Sequence, residues 1–524
     1  MSGKAVATIF AVALAVSACG PAPASPPSAA TPPAAAGSAS TRAQSTAKYA
    51  AKVPPSVTTP DTVQTRIGTL NFKDGLPDAE TVTKVYDNLD FARGVEAFLL
   101  GIPSANIQGM RRGYAEGGFP SNQGFGISET LADARSLFLT PNTVVVYCWG
   151  NLDVKDGPMV LEVPPGVLGI LNDAHWRWVN DLGLTGPDQG KGGKYLVVPP
   201  GYKGPLPTEG YFVQKTRTFS HNVILRGFIQ GSDLATIVKN MKAHTKMYPL
   251  SAAANPPEQK FVNFSGMQIN TVHANDYTFY EELNEVVQHE PDDYLESEVV
   301  GILASIGIKK GKPFAPDARM KAILTDAAAV ANATSRAMTF ASRDPLTRNY
   351  PDRQWSSMFT HLNHEFADGG ERTLDARTMS FYYVTGNSPM MANPQLGKGA
   401  AYVYTARDAK GEWLDGSKNY KVTLPPNVPA GQFWSFNVYD NQHRSFLETD
   451  QRAAGLDSTM VPTVKKNADG STTVWFGPKA PAGQEANWIQ TWPGKGFNVI
   501  FRLYAPLEGW FDKSWRPGDL ELVN

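Results

Sequence analysis

At 524 residues the chain is too long to fold around one hydrophobic core, so we expect two or three domains. Its hydrophobic content of 42% and charged content of 19% are typical of a globular protein. A formal net charge of −1 excludes the basic excess that a nucleic-acid-binding surface normally shows. The 40 prolines and 47 glycines favour many short strands and turns.

The N-terminus has the pattern of an export signal. Lys4 precedes an apolar run over residues 5–16, which is too short to cross a bilayer. The next residues, Val-Ser-Ala-Cys, resemble the lipobox of bacterial lipoproteins, in which the cysteine carries the lipid. We therefore expect a signal peptide over residues 1–18 and lipidation of Cys19, with an ordinary signal peptide cut after Ala24 as the alternative. Gly20 favours transfer to the outer membrane, facing the periplasm or the exterior.

Residues 19–66 are rich in Pro, Ala, Ser and Thr and have almost no large apolar side chains. Such a segment buries too little surface to offset the entropy of ordering it, so we expect a disordered tether behind the lipid anchor.

Cys148 is the other of the chain's two cysteines, and it lies in an apolar run. We expect it to be a buried, inert thiol and the fold to have no disulfide.

Residues 67–230 are expected to form helices followed by a β-sandwich. Apolar residues at helical spacing predict a helix that begins at Asp78 and ends at Pro103. A capped pattern predicts a second helix over Ser128–Leu137. Short alternating or apolar runs bounded by Gly and Pro then predict strands over residues 143–149, 158–163, 194–198, 210–214 and 221–229.

Residues 231–345 are expected to form a helical subdomain. Three stretches keep apolar residues on one helical face, and Gly307 provides a C-terminal cap for the second of them. The faces are Phe279, Leu283, Val286 and Val287; Val299, Ile302, Leu303 and Ile306; and Met320, Ile323, Leu324, Ala327 and Ala331.

Residues 346–524 are expected to form a second β-sandwich. Residues 433–504 alternate apolar and polar side chains between turn signals, which is the pattern of antiparallel strands. Seven of the chain's 11 tryptophans lie beyond residue 400, and their alternation with polar residues predicts that most are in the core.

His361 and His364, followed by Glu365 and Asp368, are candidate metal ligands. They do not form the H-E-x-x-H pattern, and the glycines after Asp368 would end any helix. Solvated histidines near a turn therefore fit this stretch better than a metal site.

Asp440, His443, Arg444 and Glu448 form a second cluster of candidates. Charged groups in an apolar strand are rarely buried unless they are paired. Alternation places Asp440 and Arg444 on the face opposite Tyr439. A structural ion pair at the end of the strand fits this better than a carboxylate and arginine that bind a ligand.

Two long runs resemble a known pair of families. The run LTPNTVVVYCWGNLDVKDGPMVLEVPPG resembles domain of unknown function 1254, and ARDAKGEWLDGSKNYKVTLPPNVPAGQFWSFNVYD resembles domain of unknown function 1214. The resemblance implies a multidomain, mainly β fold with α-helices: an immunoglobulin-like β-sandwich, a helical subdomain and a jelly-roll β-sandwich. Family members carry an acid and a threonine in an N-x-[DE]-T-x-Y-like stretch, where this chain has Val144 and Val145. Asn142 and Tyr147 of that stretch remain.

Three functional interpretations follow. The first is a lipid-anchored envelope protein that binds a small or glycan-like ligand through Arg444, Trp488 and Arg502, next to Asp440. The second is an envelope hydrolase that uses Asp440 or Asp375 as acid or base, with a metal at His361 and His364. The third is a scaffold that contacts other envelope proteins. No motif indicates a cofactor or a nucleic-acid partner, and the membrane is reached through the N-terminal lipid.

Overall fold

The computed structural model describes residues 47–229, 233–459 and 464–523. These residues form several β-sheets together with helices, at 27% strand and 26% helix, so the predicted multidomain β-rich fold is confirmed in this coarse form. None of the helices in the described ranges combines the length and the apolar composition that crossing a bilayer requires. The predicted signal peptide, Cys19 and the first part of the predicted tether lie outside these ranges.

The chain divides into two compact units at Asn88 and Leu89. The first contains a small antiparallel sheet of order β1-β2-β3. Its strand β1 lies inside the predicted tether over residues 19–66, so regular structure begins before residue 66. The elements are a 3-10 helix Pro55–Val57, β1 Thr62–Thr65, β2 Gly68–Lys73, β3 Leu76–Pro77 and the first residues of helix α1 Ala79–Glu116.

Helix α1 continues far beyond the predicted end at Pro103, which lies inside it. The prediction was wrong because proline removes one backbone hydrogen bond, and this cost of about 3 kcal/mol is local. Phe98, Ile102 and Ala105 are all fully buried around the proline. Burial of a Phe or Ile side chain contributes about 2 kcal/mol, so the packing of Phe98 and Ile102 outweighs the break.

The next part of the chain forms two sheets. One has six strands in the order β14-β4-β6-β12-β8-β9, and the other has four in the order β11-β10-β7-β13. All five predicted strands are present, whereas β4, β5, β8 and β9 were not predicted. The elements are β4 Phe125–Ile127, β5 Ser136–Leu137, β6 Val145–Asp153, β7 Met159–Val163, β8 Leu168–Asp173, β9 Trp178–Gly183, β10 Gly193–Val198, β11 Phe212–Lys215, β12 Ser220–Phe228, α2 Leu234–His244, β13 Lys246–Pro249, a 3-10 helix Leu250–Ala252, β14 Phe261–Asn263 and β15 Ile269–Asn270.

The six-stranded sheet is buried on both faces. Since side chains alternate along a strand, Val146 and Cys148 point to one face and Tyr147 and Trp149 to the other. The first pair packs in an apolar core with Leu161 and other residues of the four-stranded sheet. The second pair packs in the largest core of the protein, which also contains residues of α1. This is why β6 reads as a nearly continuous apolar run.

The predicted helix over Ser128–Leu137 is absent, and the residues form turns that end in β5. The hydroxyl of Ser128 does not cap a helix. It accepts a hydrogen bond from the backbone N–H of Tyr147 at 2.8 Å, and the Ser128 N–H donates to the Tyr147 carbonyl at 2.9 Å. Pairing with β6 therefore competes successfully with the local helical pattern.

The predicted helical faces of the middle segment are confirmed. Phe279, Leu283 and Val286 are buried, as are Leu324 and Ala331. The segment also contributes the short strands β13–β15, which the helical prediction omitted. Besides α2, its helices are α3 Thr278–His289, α4 Ser297–Ser305 and α5 Ala318–Phe340.

The C-terminal part forms two four-stranded sheets, β18-β24-β20-β21 and β23-β22-β19-β25. They pack around a core that includes Phe436, Phe476 and Phe501, as the alternation over residues 433–504 predicted. The elements are a 3-10 helix Pro345–Thr347, β16 Ala367–Asp368, β17 Glu371–Arg372, α6 Leu374–Tyr383, α7 Pro389–Ala392, β18 Ala400–Thr405, β19 Asn419–Leu424, β20 Trp434–Asp440, β21 Gly455–Asp457, β22 Thr472–Gly477, a 3-10 helix Glu485–Asn487, β23 Trp488–Gln490, β24 Phe497–Tyr504, α8 Glu508–Phe511 and β25 Glu521–Val523.

Side chains of the C-terminal part hold residues 132–141 of the earlier part by their backbone carbonyls. We call this set of contacts the carbonyl seam. Its bonds run from Arg452 Nη1 to the Ala132 carbonyl at 2.8 Å, Ser445 Oγ to Ser136 at 3.2 Å, Arg502 Nη2 to Thr140 at 2.9 Å and Tyr439 Oη to Pro141 at 2.5 Å. The seam joins segments that are about three hundred residues apart in sequence, and it ties the C-terminal part of the chain to residues 132–141 of the earlier part.

Candidate functional site

A cavity of about 940 Å³ lies where the outer faces of two sheets meet. One face belongs to the six-stranded sheet and the other to the sheet that contains β18 and β24, while residues 384–399 close one side. Leu184 and Lys398 line the cavity and are exposed, so the cavity reaches the surface. A volume of this size is at the upper end of the range of small-molecule sites. We call it the central cavity.

The floor of the central cavity is one face of strands β6, β12, β8 and β9. Arg226 on β12 is paired with Tyr147 on β6, and two residues earlier Ile224 is paired with Ile170 on β8. Ile170 is in turn paired with Asp181 on β9. Directly paired residues point to the same face, so alternation brings an arginine, a phenol and a carboxyl group onto one surface.

The roof is formed by β18 and β24. Tyr402 is paired with Arg502, and Ala400 with Tyr504, so these four side chains project to the same side. Arg502 is 4% exposed and donates to Asn437 Oδ1 at 2.7 Å as well as to the carbonyl seam. Its charge is therefore held in one place above the floor.

Asp181 is the one carboxyl group among the described residues that line the cavity. It is 8% exposed, and its Oδ1 has no hydrogen-bond partner within the described part of the chain. Burial raises its pKa from 3.8 to about 6, although contacts with Trp178 and Ser388 and the positive charge of Arg226 oppose the rise. The group therefore changes its charge at a higher pH than an exposed aspartate does.

Two further polar atoms of the lining are buried without a partner among the described residues. They are Nε of Arg226 and the hydroxyl of Tyr504. A buried polar atom without a hydrogen bond costs about 1–3 kcal/mol, so an apolar wall that keeps several of them is typical of a surface that binds a ligand. The apolar lining includes Phe138, Ile170, Ile224, Phe228, Met358, Phe359, Val384, Met390 and Met391.

The family stretch around β6 borders the cavity. Asn142 and Tyr147 both line it, and the Asn142 N–H donates to the Tyr147 hydroxyl at 3.0 Å. Burial raises the pKa of this phenol. Val144 and Val145, at the positions of the acid and the threonine, are buried at 1% exposure and do not line the cavity. The carboxyl group of the cavity comes from another strand, β9.

Of the predicted ligand-binding residues, Arg502 lines the cavity and Arg444 does not. Strand β20 ends at Asp440, and Arg444 lies in the following turn with φ of +58°, so the alternation assumed for this pair does not extend to the arginine. Arg444 is fully buried, donates to the Tyr382 carbonyl at 3.1 Å and lies 4.0 Å from the Tyr382 ring centroid. Asp440 is 1% exposed and accepts from Lys495 at 2.8 Å. Burial raises the pKa of Asp440, but the hydrogen bond from Lys495 and the charge of His443 lower it by more. The pKa therefore lies below its ordinary value.

The remaining predicted site residues lie outside the cavity lining. Trp488 is half-buried and donates to the Gly477 carbonyl at 2.9 Å, and Asp375 forms a partly exposed ion pair with Arg343 at 3.2 Å.

The two predicted metal ligands contact different groups. His361 lies near Asp344 and Asp368, at 3.7 and 3.4 Å, while the His364 ring meets the edge of Trp178. In the described ranges, no group of three His, Cys, Asp or Glu side chains is arranged to hold a metal ion.

Sequence reasoning missed Asp181 and Arg226. Arg226 carries a usable signal, because a single charged residue between Ile224 and Phe228 shares their face of an otherwise apolar strand. Asp181 lacks such a signal, since strand β9 itself was not predicted and the pairing that orients it is long-range.

Two family models match the chain. "Protein of unknown function (DUF1254)" matches residues 122–249, and "Protein of unknown function (DUF1214)" matches residues 399–508. The predicted pair is therefore confirmed. The floor residues of the central cavity lie in the first match, and the roof residues lie in the second. Neither description assigns an activity.

Comparison with solved structures supports the fold and assigns no function. The chain is similar to the VPA0106 protein from Vibrio parahaemolyticus at 18% identity and a TM-score of 0.51, over 83% of this chain and all of that one. A putative uncharacterized protein from Burkholderia cenocepacia aligns at 13% identity over 84% of this chain and 96% of that one, with a TM-score of 0.38, too low for a structural argument. No functionally curated protein matches significantly.

Proposed function

We propose that this protein is an exported, lipid-anchored protein of the bacterial cell envelope that binds a small organic molecule in the central cavity. The observation that supports binding is a cavity of about 940 Å³ whose lining combines apolar walls with buried, unpartnered polar atoms. Such a combination of apolar surface and a few convergent polar groups is common to small-molecule sites.

Binding fits the cavity better than hydrolysis does. Acid–base hydrolysis by carboxylates needs two such groups near one bond, and the described lining offers Asp181 alone. A scaffold protein has no need of a cavity that contains buried unpartnered polar atoms. A glycan is a poorer fit than a more apolar molecule, because no tryptophan appears among the described lining residues to stack on a sugar ring.

For the fold, we infer an immunoglobulin-like sandwich in the first matched domain and a jelly roll in the second. Each consists of two sheets packed face to face around one apolar core, which supports a sandwich architecture in both. The family resemblance supports the finer names. The outer face of one sheet in each sandwich is then free to form the cavity.

The binding proposal is tested on the full-length protein purified from membranes in mild detergent. Native mass spectrometry is expected to detect a bound small molecule, or binding of an added apolar molecule. Ala400→Phe places a ring in the cavity and is expected to abolish the adduct, since Ala400 lines the roof opposite Tyr504. Ala409→Phe, in an exposed turn, is the matched control. An adduct that persists in Ala400→Phe would place the ligand elsewhere.

Anchoring by lipid is tested separately. Cys19→Ser removes the acylated sulfur and is expected to move the protein from the membrane fraction to the soluble fraction. Unchanged membrane fractionation, together with a mature N-terminus after Ala24, would overturn the anchor and leave the binding proposal intact.

A further inference from the structure

Three cations line the central cavity: Lys398, which is exposed at the surface, and the arginines Arg226 and Arg502, which are more buried and differ in how they are bonded. Arg502 already uses Nη1 and Nη2 for bonds to Asn437 and to the Thr140 carbonyl. Arg226 is half-buried, and its Nε has no hydrogen-bond partner among the described residues. A buried guanidinium N–H without a hydrogen-bond partner is costly, so Nε of Arg226 is the donor in the cavity that an anionic ligand would satisfy.

The two arginines act on the same region of the cavity. Tyr147 is the direct cross-strand partner of Arg226 and feels the charges of both Arg226 and Arg502. Tyr402 is the cross-strand partner of Arg502 on the roof, and its ring centroid lies 5.9 Å from the guanidinium carbon of Arg502. An anion bound next to Tyr147 therefore lies in the field of two arginines and within reach of phenolic donors.

The rest of the lining suits a ligand whose uncharged part is apolar and flexible. Met358, Met390 and Met391 form part of the wall that residues 358–391 contribute. Unbranched methionine side chains adapt their shape to a flexible chain more readily than branched ones. Phe138 and the floor residue Ile224 add to the apolar lining.

Asp181 limits the charge that the ligand can carry. It shares the cavity floor with Arg226 and is close enough to feel its charge. Once ionised it repels an anion, and Arg226 is shared between the two negative groups. One negative charge is matched by the two arginines, while a dianion would lack donors because Arg502 is already bonded.

We infer that the ligand is an aliphatic carboxylate, with its single charge beside Arg226 and Arg502 and its chain against the methionine wall. This inference rests on the proposed binding function and adds the chemical class of the ligand. It uses residues of both matched domains, since Arg226 lies in the first match and Arg502 in the second.

The experiment compares three probes with the same chain on the full-length protein: dodecanoic acid, dodecanol and dodecyl phosphate. Isothermal titration calorimetry at neutral pH is expected to rank dodecanoic acid first. Arg226→Met is expected to weaken dodecanoic acid binding by about tenfold or more, because it removes one charge-assisted contact, and to leave dodecanol binding nearly unchanged. Arg226→Lys keeps the charge and is expected to restore part of the loss. Arg217→Met, an exposed arginine outside the cavity, is the matched control.

The outcomes distinguish a failure of the inferred ligand class from a failure of the proposed binding function. If dodecanol binds as well as dodecanoic acid and Arg226→Met changes neither, the carboxylate is refuted and the binding function stands. If dodecyl phosphate binds most tightly, the ligand carries a phosphate and the inference about its charge is wrong. If none of the three binds while another molecule copurifies in the cavity, the inference that the ligand has an aliphatic chain is refuted. If none binds and nothing copurifies, both the inference and the proposed function fail.

Discussion

Replacing Asp181 by asparagine is expected to remove a pH-dependent loss of stability. The carboxyl group is 8% exposed, and burial raises its pKa from 3.8 to about 6. The folded protein therefore holds this proton more tightly than the unfolded chain does. Well below its ordinary pKa of 3.8 the group is protonated in both states, and as the pH rises from there towards 6 only the unfolded chain ionises freely, so the wild-type protein loses stability over this range.

The size of the effect follows from the two pKa values. The difference between about 6 and 3.8 corresponds to about 3 kcal/mol once the pH is well above both. At about pH 4.5 roughly a third of that loss is already present, so about 2 kcal/mol remains to be lost between about pH 4.5 and about pH 7.5. Asp181→Asn keeps the volume of the side chain and has no charge to bury.

The assay is urea unfolding of the two proteins, without added ligand, at several pH values across this range. The free energy of unfolding of Asp181→Asn is expected to rise relative to the wild type by about 2 kcal/mol from about pH 4.5 to about pH 7.5. Other titrating groups are shared and cancel in the difference. Asp156→Asn, in an exposed turn, is the matched control for the same chemical change away from the cavity. A constant difference for Asp181→Asn would show that its ionisation carries no burial cost.

Three further predictions concern buried charges outside the cavity. Asp440→Asn breaks the buried contact with Lys495 and is expected to lower the free energy of unfolding by about 1–3 kcal/mol with dodecanoic acid binding unchanged; reduced binding in a stably folded variant would contradict this. Arg444→Met is expected to lower the free energy of unfolding by about 2 kcal/mol or more, because the buried guanidinium donates to the Tyr382 carbonyl. The same change at a cavity arginine is expected to affect ligand binding, and thermal unfolding distinguishes the two effects. Burial raises the pKa of Glu290 from 4.5 to about 7, so Glu290→Gln is expected to gain stability relative to the wild type as the pH rises through this range, and parallel pH profiles would refute it.

Local patterns predicted five strands of the first matched domain, the strands over residues 433–504 and the middle helices, because burial on one face leaves a period in the sequence. They failed where a distant partner decides the conformation. The run at Ser128 has helical spacing, but its backbone and hydroxyl bond to Tyr147 on β6. Pro103 usually ends a helix, but α1 is packed on enough sides to continue through it. In both cases a tertiary contact outweighs a local preference of a few kcal/mol.

The site was predictable only in part for the same reason. Arg502 was a candidate because a charge in an apolar strand is conspicuous, and it does line the cavity. The partners proposed for it were neighbours in the same sequence stretch, such as Asp440 and Trp488. The groups that face it, Arg226 and Asp181, come from the other matched domain. Sequence proximity cannot identify neighbours that meet across two sheets.

The carbonyl seam has a consequence for how this protein can change over generations. Backbone carbonyls are the same for every amino acid, so Arg452, Ser445 and Tyr439 hold residues 132–141 without reading their side chains. A substitution at Phe138 or Leu139, which line the cavity, therefore leaves these hydrogen bonds available, provided that the new side chain fits its buried surroundings. The cavity beside it can then be reshaped towards a different ligand without loosening the joint that positions its floor under its roof.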